Sequence, residues 1–175
     1  GQVLALLGPA NSGKAELTQV IAGITKSYRG QVLIDGSNVV GSQHMVGYCP
    51  RLPGVFPEMT CSEYLSFFAD SFQIPTHYRP SLVREALRRV ELHHSSDRKA
   101  RELSPLDQQR LNLARATVHN PSLIVVQDVL GQFDKAERQI LVDVLQRIRQ
   151  MGKAMVIVAC SWNQIAAISS HLCVM

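Results

Sequence analysis

The sequence has no long apolar run, no cysteine spacing typical of a metal site or disulfide framework, and no internal repeat. Its longest uninterrupted apolar run covers residues 154–160, whereas a membrane-crossing helix needs about 18 apolar residues. No transmembrane helix is therefore predicted. The four cysteines, at positions 49, 61, 160 and 173, match neither a zinc site nor a disulfide scaffold. We predict buried, reduced thiols and no metal-ligand cluster.

The chain also lacks a strong excess of charge of one sign. Lysine and arginine number 18 against 14 acidic residues, and the formal net charge is +4. The densest basic group comprises Arg84, Arg88, Arg89, Arg98, Lys99 and Arg101. A solvated helix face explains such a group, and docking of a partner or of nucleic acid is the alternative. Because the other basic residues are scattered, we expect no direct binding of nucleic acid.

Short apolar runs alternate with amphipathic segments along most of the chain. Hydrophobic residues make up 46% of the sequence and charged residues 18%, which is enough apolar material for a buried core. Strands are predicted over residues 3–7, 31–34, 46–49, 123–127, 155–160 and 172–175, and helices over residues 14–22, 61–72, 80–90, 105–119 and 135–151. This alternation predicts one α/β domain with a mostly parallel sheet, interrupted by a helical insert over about residues 52–118.

Residues 8–15, with the sequence GPANSGKA, fit the phosphate-binding pattern G-x-x-x-x-G-K-[ST] at seven of its eight positions. The loop lies between a predicted buried strand and a predicted helix, which is the context that the pattern needs. Backbone N–H groups would face an anion, and Lys14 would reach its outer phosphates. The alternative is a chance turn with Lys14 as an ordinary first residue of the helix. The candidate nucleotide-binding residues are Gly8, Pro9, Ala10, Asn11, Ser12, Gly13, Lys14, Ala15 and Glu16.

Over nearly its full length the chain resembles an ABC-type ATPase domain, and the order of its landmarks carries the resemblance. The landmarks are the Walker A loop (8–15), the segment ending at the Q-loop position (46–51), the opening of the helical subdomain (57–65), the signature region (103–111), Walker B with the D-loop (123–134) and the H-switch (159–161). Residues 54–60 and 64–69 are most similar to ATPases of the ABC-2 exporter type.

The resemblance implies a P-loop NTPase fold of the RecA-like type. Residues 1–51 and 119–175 would form the P-loop core, and residues 52–118 would form the helical subdomain with the signature region. The family's first two strands and its base-stacking aromatic residue would precede Gly1. We therefore expect an ABC-type nucleotide-binding domain over residues 1–175 that is truncated at both ends.

The chain departs from the family where the family binds Mg²⁺ and activates water. Ala15 replaces the hydroxyl residue that binds the metal, and Glu16 follows it. Gln127 stands where Walker B has its metal-ordering aspartate. Asp128 stands in place of the catalytic glutamate and is one methylene shorter. Because Mg²⁺ prefers charged oxygen ligands, we expect ATP to bind and Mg²⁺ to be held poorly. Asp128 is a candidate catalytic base, or alternatively a hydrogen-bonded residue of the D-loop.

The switch and signature positions also differ from the family. Arg51 replaces the Q-loop glutamine, and its positive charge is a candidate substitute for the missing ion. Ser161 replaces the H-switch histidine and is too short to hold a phosphate. In the signature, Ser104 is retained, but Asp107 brings negative charge towards phosphate. Asp134, at the D-loop, is either an inter-subunit residue or the N-cap of the next helix.

These features predict an ABC transporter ATP-binding domain that binds nucleotide weakly and hydrolyses ATP poorly or not at all, in support of an ABC-2-type export system. One alternative is a slow but active ATPase that acts through Lys14 and Asp128. Another is a scaffold or regulatory protein outside transport. The resemblance implies two partners, a second nucleotide-binding domain in a homo- or heterodimer and a transmembrane permease. It also implies a cytoplasmic location at the inner face of the membrane.

Overall fold

The computed structural model describes residues 1–26 and 28–175, which alternate between strands and helices. In chain order the main elements are β1 (Val3–Leu7), α1 (Lys14–Ile21), β2 (Leu33–Ile34), β3 (Ser37–Asn38), β4 (Val46–Cys49), α2 (Cys61–Ser71), α3 (Arg79–Arg89), α4 (Pro105–Thr117), β5 (Leu123–Gln127), α5 (Lys135–Arg149), β6 (Ala154–Ala159) and β7 (His171–Val174). Short 3₁₀ turns join several of them, at Gln43–Met45, Thr76–Tyr78, His93–Ser95, Ala100–Glu102 and Trp162–Gln164.

Five strands form one parallel sheet in the order β4-β5-β6-β1-β7. Strands β1, β5 and β6 are nearly continuous apolar runs, as expected of strands covered on both faces, whereas all four residues of the edge strand β7 are exposed. Ile124, Val126 and Ile157 are fully buried in the main core, which includes residues of α5. On the opposite face Leu6 and Val158 form a smaller cluster with Leu17 of α1. The predicted mostly parallel α/β architecture is confirmed, and the carboxyl ends of the strands share one edge.

The strand predicted over residues 31–34 is shorter than expected and lies outside the main sheet. Only Leu33 and Ile34 are in a strand, and they pair antiparallel with Ser37–Asn38. Asp35 and Gly36 both have positive φ, 49° and 78°, the conformation of a two-residue hairpin turn. This turn reverses the chain before β2 can join the parallel strands.

Helices α2, α3 and α4 form the helical insert, and local signals set where two of them begin. The Thr60 hydroxyl accepts from the N–H of Glu63, whose carboxylate accepts from the N–H of Thr60, so the two residues form a capping box. Ser104 caps α4 by accepting from the N–H of Asp107. Tyr64, a large fully buried residue of α2, packs in the main core. Capped ends and a buried face together stabilise helices that would be marginal in isolation.

The prediction of buried thiols is wrong for two of the four cysteines. Cys160 and Cys173 are exposed, although Cys49 and Cys61 are buried as expected. Cys160 follows the last residue of β6, and Cys173 lies on β7 at the end of the sheet order. Trp162 is 42% exposed on a surface turn. Ile140 of α5 is also exposed, because its neighbour Leu141 takes the core-facing position. Across the described residues, no helix has the length and apolar composition to cross a membrane.

Candidate functional site

A cavity of about 360 Å³ lies at the carboxyl edge of the parallel sheet, beside the first residues of α1. Strands β1, β5 and β6 each end at this cavity, which is where open α/β sheets bind their ligands. The cavity is lined by Gly8, Pro9, Ala10, Asn11, Ser12, Gly13, Lys14, Ala15, Glu16, Arg51, Gln127, Asp128, Val158 and Cys160.

The loop between β1 and α1 has a backbone that few sequences could adopt. Asn11 and Gly13 both have positive φ, 62° and 87°, and this left-handed region suits asparagine and glycine. Gly8 is in close contact with the end of β7, since an added Cβ would lie 2.5 Å from the carbonyl oxygen of Met175. The loop therefore curls tightly and turns the N-terminus of α1, with its free N–H groups, towards the cavity.

The ammonium group of Lys14 is held inside this loop. Its Nζ donates to the carbonyl oxygen of Gly8 at 2.8 Å, to the carbonyl oxygen of Pro9, and to Oγ of Ser12 at 2.9 Å. The residue is only 8% exposed. All three acceptors are neutral, so the positive charge of Lys14 remains available to an anion.

The side chain of Gln127, at the end of β5, is held by a neighbouring strand. The hydroxyl of Tyr48 donates to Oε1 of Gln127, and the carbonyl oxygen of Tyr48 accepts from Arg115 at 2.8 Å. Burial of the ring raises the pKa of Tyr48, so the phenol stays protonated and keeps donating at neutral pH. The amide oxygen of Gln127 is therefore already committed to a donor.

The carboxylate of Asp128 forms an ion pair with Arg51. Its Oδ2 lies 3.6 Å from Nε of Arg51, and the two side chains are 14% and 59% exposed. Its Oδ1 accepts from the thiol of Cys160 at 3.5 Å. Burial, followed by the charge of Asp128, raises the pKa of the Cys160 thiol, which keeps it protonated as a donor. The positive φ of Asp128, 42°, turns the chain sharply where β5 ends.

The residues around the cavity do not fit a magnesium site. Ala15 has no side-chain oxygen, the oxygen of Gln127 accepts from Tyr48, and the carboxylate of Asp128 faces Arg51. Mg²⁺ requires charged oxygen ligands in strict octahedral geometry. The described residues also contain no group of three or more His, Cys, Asp or Glu side chains that could hold a metal ion.

Comparison with known proteins decides the family. The family model described as ABC transporter matches residues 1–129, well over half of the chain. The chain belongs to the ABC transporter family. This membership implies ATP binding, and it confirms the family predicted from the sequence.

Individual relatives agree with the family assignment. The ABC domain is 31% identical to the spermidine/putrescine import ATP-binding protein PotA of Vibrio cholerae, over all of this chain and 48% of that protein. It is 32% identical to PotA of Lawsonia intracellularis, over all of this chain and 49% of that protein. The chain thus spans about half the length of the curated relatives it matches.

Solved structures show the same fold. The cbiO1 protein of Clostridium perfringens, described as part of the ABC transporter complex cbiONQ, superimposes with a TM-score of 0.89 over 99% of this chain and 73% of that chain, at 21% identity. A bacterial ABC transporter cassette in a dimeric structure gives a TM-score of 0.85 over 99% of this chain and 81% of that chain, at 22% identity. The predicted P-loop NTPase fold is confirmed.

Within this ABC domain, twelve of the predicted site residues line the cavity at the carboxyl edge of the sheet: the loop residues 8–16 with Arg51, Gln127 and Asp128. The other four do not line it. Ser104 and Asp134 are helix N-caps, and Asp107 forms an ion pair with Arg110 at 2.9 Å. Ser161 begins a surface turn, where its N–H donates to Gln164. All four therefore have local structural contacts.

Two residues of the site were not predicted from the sequence. Cys160 could have been found from its place directly after β6, since parallel strands end at one edge of the sheet. Tyr48 gives no such signal. Its contact with Gln127 depends on the register of β4 against β5, in which Tyr48 lies opposite Val125, and on the reach of the phenol across to the strand end.

Proposed function

We propose that this ABC domain binds ATP with little help from Mg²⁺, hydrolyses it poorly or not at all, and supports a transport system of the ABC-2 export type. One observation carries the proposal. The two side chains at the family's metal and water positions are already paired, Gln127 with Tyr48 and Asp128 with Arg51. A side chain that is paired in this way is a poor ligand for a metal and a poor acceptor for the proton of water.

The phosphate loop supports the binding half of the proposal. The acceptors that hold Lys14 are neutral oxygens, so they do not offset its positive charge. The first N–H groups of α1 face the cavity and add the partial positive charge of a helix N-terminus. Arg51 adds a second cation at the cavity wall. These groups would bind polyphosphate, although more weakly than a site that also holds Mg²⁺.

The other half of the proposal is that the domain hydrolyses ATP poorly or not at all. Asp128 is a methylene shorter than the family's glutamate, and its carboxylate has both a cation and a thiol donor beside it. Both contacts engage the carboxylate oxygens that would otherwise orient an attacking water. Ser161 does not line the cavity, so the H-switch position would contribute nothing to phosphate. The competing candidate is a slow ATPase that uses Lys14 and Asp128, which retains a carboxylate near the phosphate loop.

Steady-state phosphate release by the purified domain tests the proposal. We expect turnover at the background of a Lys14→Ala variant, because both would lack an activated water. Turnover of about 1 s⁻¹ or more, an ordinary enzyme rate, that disappears in Lys14→Ala would establish the slow or active ATPase instead. The Lys14→Ala control separates activity of this loop from that of a contaminant.

The partners belong to the same proposal. We propose a second nucleotide-binding domain, in a homo- or heterodimer, and a transmembrane permease that holds the pair at the cytoplasmic face of the membrane. In such a pair the phosphate loop of one domain faces the signature of the other, so the positions of Ser104 and Asp107 outside this cavity support the arrangement.

Import is the second candidate direction, because the relatives with about 30% identity are named as import ATP-binding proteins. A scaffold role outside transport is a third.

Co-purification distinguishes these partners. The full-length protein that contains this chain, tagged and extracted from membranes in mild detergent, should retain a permease and a second ABC domain. An export-type permease would support the first proposal, and an import-type permease the second. A protein recovered only from the soluble fraction, without either partner, would favour the scaffold.

A further inference from the structure

Four charged side chains line the cavity, and their charges cancel. Lys14 and Arg51 are cations, and Glu16 and Asp128 are carboxylates. Glu16 is exposed in the first turn of α1 and has no ion-pair partner among the described residues. Asp128 lies against Arg51. Among the described residues, a polyphosphate would therefore meet one cation that has no ion-pair partner, Lys14, and one that is already paired.

We propose that the Arg51–Asp128 ion pair is an internal competitor for nucleotide: Arg51 is the residue that selects for a third phosphate, and Asp128 holds Arg51 until that phosphate displaces it. This rests on the proposed function, namely that the loop binds nucleotide phosphates. Its consequence is that Asp128, at the family's catalytic position, weakens ATP binding in this domain.

The geometry of the pair allows it to open. The N–O distance of 3.6 Å is longer than a hydrogen bond, and the Arg51 side chain is 59% exposed. Exposed pairs of this kind contribute little free energy, so a phosphate with more negative charge can displace the carboxylate. A guanidinium group binds phosphate through two parallel N–H donors. Because Arg51 contacts Asp128 through Nε alone, its other N–H groups remain available to a phosphate.

Arg51 is the member of the pair that moves. The Asp128 carboxylate is 14% exposed and accepts from Cys160, while its N–H donates to the carbonyl oxygen of Val158 at 3.1 Å. The carboxylate also lies against Gly131, where an added Cβ would come within 2.8 Å of it. Asp128 is thus fixed on several sides, whereas the guanidinium of Arg51 reaches into solvent.

A third phosphate should feel this pair more than the first two. In phosphate loops the backbone binds the first two phosphates and the lysine reaches the second and third. Outside the phosphate loop (residues 8–16), the charged and amide side chains that line the cavity are Gln127, Asp128 and Arg51. Removing the charge of Asp128 would release Arg51 and remove an anion from the neighbourhood of the third phosphate. Both effects favour ATP over ADP.

The experiment is a set of ATP and ADP titrations in chelator, so that no metal contributes. Asp128→Asn keeps the shape of the side chain and an oxygen for the Cys160 thiol, and removes the charge. We expect it to tighten ATP binding by about fivefold or more, a coupling of about 1 kcal/mol, and ADP binding by less than about twofold. Arg51→Ala should weaken ATP more than ADP. Because Arg51 is exposed, this variant should remain folded, as a thermal melt would verify.

Two further variants distinguish competition by the Arg51–Asp128 pair from a general effect of removing negative charge from the cavity. Glu16→Gln removes an equal charge from the same cavity without an arginine partner, and should tighten ATP and ADP to the same extent. In an Arg51→Ala background, Asp128→Asn should lose most of its preference for ATP. The proposal is overturned by an Asp128→Asn variant that binds ATP no more tightly than the parent, or by a gain that is equal for both nucleotides or survives undiminished without Arg51.

The same titrations separate this inference from the proposed function. If the parent domain and Asp128→Asn both fail to bind ATP at millimolar concentration, nucleotide binding itself is wrong, and the inference falls with it. If the parent binds ATP and Asp128→Asn has the same affinity, only the inference is wrong.

Discussion

The hydroxyl of Tyr48, on β4, donates to Oε1 of Gln127 at the end of β5. This contact joins two adjacent parallel strands through their side chains at the edge of the sheet that carries the cavity. An aspartate at position 127 would carry the negative charge that a metal ion prefers, whereas the amide is neutral and bound to its neighbour. We therefore propose a structural role for Gln127 in place of a catalytic one.

Replacing Tyr48 by phenylalanine should destabilise the domain by about 1 kcal/mol, because the amide oxygen of Gln127 loses its donor at a half-buried position. Tyr78→Phe is the matched control, since Tyr78 is 56% exposed. Urea unfolding of both variants measures the difference. Equal stability of the two variants would show that the contact contributes nothing.

Acid should destabilise the domain through His119. Burial lowers the pKa of His119 to about 4 from its usual 6.5, although a contact with the carbonyl oxygen of Val46 opposes the shift. Between these values the unfolded chain binds the proton and the folded chain does not, so the stabilisation is present above pH 6.5 and is lost as the pH falls towards 4. The loss should reach about 2–3 kcal/mol.

Thermal melts from pH 7 to 4 measure this effect. In a His119→Gln variant the part of the pH dependence that belongs to this ring should disappear, leaving only the contribution of the carboxylates. The ring also stacks on Phe72 at a centroid distance of 3.7 Å, so the variant should be less stable at pH 7. A parent and variant with the same slope between pH 6.5 and 4 would contradict the assignment.

Asp134 should act as a helix cap. Its Oδ1 accepts from the N–H of Glu137 at 2.8 Å, at the first turn of α5. Asp134→Ala should cost about 1 kcal/mol, whereas Asp134→Asn, which retains the cap, should cost much less. Urea unfolding compares them. If both variants are as stable as the parent but weaken dimer formation, Asp134 is the inter-subunit residue that the family suggests.

Repairing the phosphate-loop side alone should restore binding without restoring turnover. The variant Ala15→Thr with Gln127→Asp and Asp128→Glu supplies the oxygens that Mg²⁺ and the attacking water need. It leaves Asp107 in the signature and Ser161 at the switch. Because groups that act as one catalytic unit are strongly non-additive, we expect Mg²⁺-dependent ATP binding with phosphate release near background.

Steady-state phosphate release by this triple variant, assayed without a partner domain, is the check. Robust turnover would show that the altered signature and Ser161 are tolerated. The hypothesis of an impaired site would then hold only for the loop side.

The sequence predicts most of the fold because its signals are local. Capping residues such as Thr60 and Ser104 mark helix starts, and β-branched apolar runs mark strands that are buried on both faces. The phosphate loop and residues 127–128 are brought together by the rule that parallel strands end at one edge. The strand predicted over residues 31–34 lacks its first two residues and pairs only with Ser37–Asn38, across the turn at Asp35 and Gly36.

The pairing inside the site could not be predicted in this way. Whether Arg51 meets Asp128 depends on the path of the chain after Pro50 and on the positive φ of Asp128. Whether Tyr48 meets Gln127 depends on strand register. Both contacts join residues far apart in the sequence, and neither residue type demands the other. Cys160 differs from these two contacts, because its place one residue beyond a buried strand could have been predicted from the sequence.

The most direct test of the account is an ATP titration of the purified domain in excess Mg²⁺ and again in chelator. Lys14, the N-terminus of α1 and Arg51 carry the binding in this account, and the residues that would hold the metal are paired or lack oxygen. The two dissociation constants should therefore differ by less than about tenfold, or about 1.4 kcal/mol. Binding that tightens about a hundredfold or more with Mg²⁺ would contradict it, because the domain would then hold the ion as its active relatives do.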